Sequence, residues 1–139
     1  MRLWHKDIID VLPRQQLLGQ WRELCCIASN IKSSNTPNHL LVNKVLNFSW
    51  NHFKTYCIGV INEMRRRGYN VCEEKLWKHQ FWEETAHSEI DTKSLYLGWH
   101  NDRYLKQCLY NLQEKYDCGG ISNEEWEKIA KKFQKYLSQ

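Results

Sequence analysis

After Pro13 the large apolar residues recur as Leu17, Trp21, Leu24, Ala28 and Ile31, with Leu18 and Cys25 beside them. Steps of three and four put these side chains on one face of an α-helix. They would scatter over both faces of a strand. The spacing therefore predicts a helix over Pro13–Ile31, with Pro13 suited to its first position. A stripe this wide must be covered by other elements, and the rest of the chain supplies them as helices.

Lys32 to His39 is expected to be a polar loop around Ser33-Ser34-Asn35-Thr36-Pro37, and Leu40 to Leu46 one or two helical turns. Ser49 is placed to cap a helix over Trp50–Arg67, with Phe53, Cys57, Val60, Ile61 and Met64 inward and Gly68 as its stop. Helical spacing continues over Cys72–Glu84 through Leu76, Trp77 and Phe81, and Ala86–Trp99 reads as loop. A helix from Asn101 or Asp102 to Tyr116 buries Leu105, Cys108, Leu109 and Leu112, and Gly119-Gly120 breaks it. Ser122-Asn123-Glu124-Glu125 is a capping box, and a last helix follows through Trp126, Ile129, Ala130, Phe133 and Leu137. No segment alternates with a period of two, and there is no internal repeat. The expectation is an all-α fold, one compact domain over 1–139 of about four to five helices.

No apolar run approaches the roughly 20 residues that span a membrane, and the basic start is not followed by a secretory apolar stretch. A reducing, cytoplasmic compartment is expected. The six cysteines form no C-x-x-C pair and no zinc spacing with histidine. They read as free thiols, with Cys25, Cys57 and Cys108 on apolar helix faces. No metal, cofactor or membrane is expected, and the chain is expected to be a monomer. Seven Trp and seven Tyr offer core material and also rings that stack on bases. The net charge of +4 permits nucleic acid as a partner without requiring it.

Chemistry is carried by Trp21-Arg22-Glu23-Leu24 read with the start, Met1-Arg2-Leu3-Trp4. Glu23 lies at the edge of the buried stripe, and Gly19 one turn before it suits a close approach to the backbone. Pro13 to Glu23 is roughly 15 Å of helix. The twelve residues before Pro13 reach roughly 40 Å when extended, so the start can return to Glu23. Leu3, Trp4, Ile8, Ile9 and Leu12 would anchor it. An α-amine titrates at about 7.7–8.0 against about 10.4 for lysine, so near neutral pH roughly a tenth of it is a free nucleophile. Such an amine forms imines with electrophilic carbon.

Three stretches resemble the phage-type pyrimidine-dimer DNA glycosylase and AP-lyase family. These are Met1-Arg2-Leu3 with the helix Gln16–Leu24, then Asn38-His39-Leu40, then Ile61-Asn62-Glu63-Met64-Arg65-Arg66-Arg67-Gly68-Tyr69-Asn70-Val71. The resemblance covers about the first half of the chain. It implies an all-α repair enzyme acting on damaged double-stranded DNA without a cofactor. It implies attack on the sugar C1′ by the α-amine, here that of Met1, then a Schiff base and β-elimination. It gives Glu23 the proton-transfer role, and gives Arg2 and Arg22 the phosphates, with His39 facing DNA. The chain departs from the family pattern in retaining a large residue after Met1, in placing Cys26 where a further arginine stands, and in ending on a charged amphipathic helix. The competing reading is a non-catalytic helical module that binds nucleic acid or protein. Arg65-Arg66-Arg67 also suit a helix C-terminus, Glu83 and Glu84 read as a solvated pair, and His5, His52, His79, His87 and His100 have no ligand spacing.

Overall fold

The computed structural model describes residues 1–84 and 88–137, with the Glu84 side chain left aside. The expectations for His87 and the Glu84 carboxylate lie outside this range. Among the described residues the regular elements are all helical. Helix α1 (Arg14–Ser34) packs against α2 (Trp50–Arg66), and α4 (Asp102–Asp117) against α5 (Asn123–Lys132). Two short helices, α3 (Glu74–Trp77) and α6 (Gln134–Leu137), and three 3-10 turns complete the set.

The chain start is part of the core. Leu3, Ile8, Leu12 and Leu17 are buried with Leu24, Ile27 and Ala28 of α1 and with Phe53, Val60 and Ile61 of α2. The N-terminal segment thus packs on the first helix, as its apolar residues predict. It also bridges to the second half. The Tyr104 hydroxyl donates to the Leu3 carbonyl at 2.6 Å, and the Lys6 N–H donates to His100 Nδ1 at 3.0 Å.

Several boundaries differ from expectation, each for a local reason. Helix α1 runs three residues past Ile31, because Ser33 Oγ bonds back to the Ser29 carbonyl and Asn35 closes the helix with φ 58°. The helical turn expected over Leu40–Leu46 forms as the 3-10 turn Asn43–Asn47, and Val42 and Val45 are the buried residues of that stretch. Ser49 precedes α2, but its hydroxyl makes no cap bond. Gly68, with φ 87°, ends that helix as expected, since the Tyr69 N–H returns to the Met64 carbonyl at 2.9 Å. The helix expected over Cys72–Glu84 is broken after Trp77. The Trp82 indole donates to the Leu76 carbonyl at 2.8 Å, the acceptor a continuing helix would give to Gln80. This seats Trp82 flat on Phe53, with ring centroids 5.5 Å apart. The capping box of Ser122 and Glu125 forms, while the last helix breaks at Phe133, whose ring turns into the core.

Candidate active site

Gln20 organises the site. Its position falls three after Leu17 and four before Leu24, so an amide occupies the buried stripe, and its side chain is fully enclosed. A buried amide must be paired. Gln20 Oε1 accepts the Trp4 N–H at 2.8 Å and lies 2.9 Å from the Tyr56 hydroxyl, while Nε2 donates to the Arg2 carbonyl at 2.9 Å. The Tyr56 hydroxyl also lies 2.6 Å from the Trp4 carbonyl. One side chain of α1, with support from α2, therefore holds both peptide groups that flank Leu3.

Glu23 sits one turn further along the same face. Its Oε2 accepts the Arg2 N–H and the Gln20 amide, each at 3.4 Å. The sequence reading placed the chain start beside Glu23, and the structure brings the two together. Met1 is 39% exposed, so the residue carrying the terminus stays open to solvent beside a half-buried carboxylate.

The two arginines differ. Arg2 turns inward. Its guanidinium lies 5.2 Å from the Trp4 ring centroid, and Nη1 is 3.7 Å from the buried Cys108 sulfur. Burial pushes the Tyr104 phenol far above its ordinary value, with the Arg2 charge opposing. Arg22 is exposed, and no ion pair or side-chain hydrogen bond engages it among the described residues. Its Nη2 lies 3.9 Å from where a Cβ on Gly19 would stand. This is ordinary contact, so the close approach expected at Gly19 is absent, and the glycine is simply roofed by Arg22. Cys26 is exposed one turn ahead.

His39 lies on the turn after α1. Its Nδ1 accepts the Leu41 N–H at 3.2 Å, which leaves the proton on Nε2. Arg2 opens onto a pocket of about 540 Å³ walled by Leu40, Leu41, Lys44, Trp99, Tyr104 and Gln107. The basic run of α2 is committed to the protein itself. Arg66 and Arg67 both pair with Glu63, Arg65 pairs with Glu73, and Arg67 Nη1 also donates to the Leu12 carbonyl at 2.8 Å. Sequence reasoning missed Gln20, Tyr56 and Tyr104. The amide within the apolar stripe was the one visible signal, since the tyrosines lie among ordinary helix positions.

The family model for pyrimidine dimer DNA glycosylase matches residues 1–76, which carry Met1, Gln20, Glu23 and His39. The chain belongs to the pyrimidine dimer DNA glycosylase family. Neither a curated protein sequence nor a solved structure matches the chain. Family membership makes damaged DNA the substrate class. The match ends at Leu76, so the Trp99, Tyr104 and Gln107 walls of the pocket lie beyond the glycosylase family pattern. Among the described residues no helix is long and apolar enough to cross a membrane, and no three His, Cys, Asp or Glu side chains gather as metal ligands.

Proposed function

We propose that the whole chain, acting as one domain and a monomer, is a DNA glycosylase with AP-lyase activity that works through the Met1 α-amine. The observation that carries this reading is the Arg2 N–H held against the Glu23 carboxylate at 3.4 Å. It sets the residue after the terminus on the Glu23 carboxylate. The amine attacks C1′ of the damaged nucleotide, the C1′–N bond to the base breaks, and the base leaves with a proton. Opening of the sugar ring gives an imine between Met1 and C1′. Loss of a C2′ proton then expels the 3′ phosphate and cuts the strand. Glu23 stabilises the iminium charge and carries protons between these steps. Arg22, unpaired in the free protein, takes a phosphate. Arg2 holds a second from the pocket wall, and the His39 Nε2–H donates to the backbone. Amine and carboxylate supply this chemistry from protein groups alone.

The test is borohydride trapping on duplex DNA carrying one abasic site. The native protein is expected to form a covalent adduct. Glu23→Gln is expected to slow strand cleavage by at least about 10²-fold and to keep or tighten duplex binding, because a charge that repels phosphate is gone. Cleavage by Glu23→Gln at the native rate would remove Glu23 from the mechanism. No adduct with the native protein would leave a helical module that binds without reacting.

A further inference from the structure

We infer that the Leu40–Leu41 turn is a wedge that enters the base stack of duplex DNA beside the reacting nucleotide. The inference rests on the functional reading above and adds how the duplex is opened. Leu40 is 85% exposed and Leu41 53%, although both side chains are large and apolar. The turn that presents them is braced without their side chains. Val42 and Val45 plug it into the core. Asn43 Oδ1 accepts the His39 N–H and the Thr36 hydroxyl, each at 3.2 Å, and the Asn43 N–H donates to the His39 carbonyl at 2.9 Å. Two leucines are thus held out into solvent on a fixed backbone.

Their surroundings favour DNA as the occupant. Cationic Arg2 and Lys44 and the aromatic side chains of Trp99 and Tyr104 line the same pocket as the leucines, and among the described residues no carboxylate lines it. A partner with anionic groups outside and apolar layers inside fits that arrangement. Duplex DNA presents phosphates to the cations and stacked bases to the leucines. Apolar side chains driven between base steps unstack them and kink the helix. An enzyme acting on a sugar or base within a duplex must open the stack. The location agrees, because Arg2 lines the pocket and its backbone N–H meets Glu23 Oε2 at 3.4 Å. An anionic lipid surface offers similar chemistry without that link to Glu23.

The test uses the full chain and the Leu40→Ala/Leu41→Ala variant, which removes exposed side chains and should fold as the native protein does. The DNA is a duplex with an uncleavable abasic analogue and a neighbouring 2-aminopurine, whose fluorescence rises on unstacking. The native protein should raise the signal several-fold, and the variant should leave it near that of free duplex. On reactive abasic DNA the variant should trap at least tenfold more slowly in duplex, but at the native rate in single strands. Equal unstacking by both proteins, or equal slowing on both substrates, would overturn the wedge. So would loss of phosphatidylserine-vesicle binding in the variant with duplex unstacking intact. Should the native protein form no adduct on either DNA, the catalytic reading fails, and the fluorescence arm still decides the wedge.

Discussion

Gln20 holds Trp4 much as a neighbouring strand would. Its Oε1 accepts the Trp4 N–H at 2.8 Å from a helix position with no exposure. With Nε2 on the Arg2 carbonyl, the amide clamps the two peptide groups on either side of Leu3. The clamp belongs to the same helix as Glu23, so the distance between the chain start and the carboxylate is set within one rigid element.

Gln20→Leu should therefore damage both stability and reaction. The Trp4 N–H and the Arg2 carbonyl lose their partner, and the Tyr56 hydroxyl keeps only the Trp4 carbonyl as an acceptor. Buried polar groups left unpaired are destabilising by about 1–3 kcal/mol each, so a loss of about 3 kcal/mol is expected in urea unfolding. Below the unfolding transition, borohydride trapping should slow by about tenfold or more through misplacement of the amine. Gln20→Glu keeps the acceptor and loses the donor, and should fall between. A folded Gln20→Leu protein that traps at the native rate would show that the start is positioned by other contacts.

Arg22→Ala and Arg2→Ala should separate binding from folding. Arg22 is exposed and unpaired, so its loss should leave thermal unfolding unchanged. It should reduce the slope of log K against log salt by roughly 0.9. Arg2 also lies over Trp4 and beside Cys108, so its loss should lower the melting temperature as well. Unchanged salt slopes in both variants would mean that neither guanidinium meets a phosphate.

Acid should destabilise the fold through buried histidine. Burial, with the His5 ring and the Lys6 ammonium adding to it, pushes His100 down to about 2. An unfolded histidine titrates near 6.5, so on acidification the unfolded chain takes up the proton first. The His100 contribution is complete above about pH 6.5 and is lost as pH falls towards the folded value, at up to about 1.4 kcal/mol per pH unit. His5, His52 and His79 are lowered as well, with burial the largest cause in each, and act in the same direction. His100→Asn keeps an acceptor for the Lys6 N–H and cannot titrate. It should be less stable at neutral pH through lost packing, yet its unfolding free energy should fall less steeply between about pH 6 and pH 4. Parallel pH profiles would show that His100 charges without opening the structure.

The sequence showed most clearly what repeated spacing encodes. The stripe from Leu17 to Ile31 marked out α1, and the apolar start pointed to its packing on that helix beside Glu23. Long-range choices were hidden. Trp82 takes the Leu76 carbonyl and breaks a helix whose local spacing runs on. A short apolar stretch such as Leu40–Leu46 does not say which residues turn inward, because that depends on what lies beneath it. Tyr56 and Tyr104 reach the first four residues from sequence distances of 52 and 101, which no local pattern carries.

The nucleophile assignment can be tested against a specific rival. Lys44 lines the pocket that Arg2 opens onto, and among the described residues it is the one lysine there. Lys6 is occupied, its ammonium donating to the Thr92 and Leu95 carbonyls. The proposed nucleophile is the α-amine of Met1. Any residue added before Met1 turns that amine into an amide and removes its lone pair from chemistry. Extension by a short N-terminal tag should abolish borohydride trapping, while the same tag at the C-terminus should not. Tag removal to restore Met1, verified by intact mass, should restore the adduct. Lys44→Arg keeps the charge, removes the amine, and should trap at close to the native rate. Full trapping by the extended protein, lost on Lys44→Arg, would make Lys44 the nucleophile within the same site.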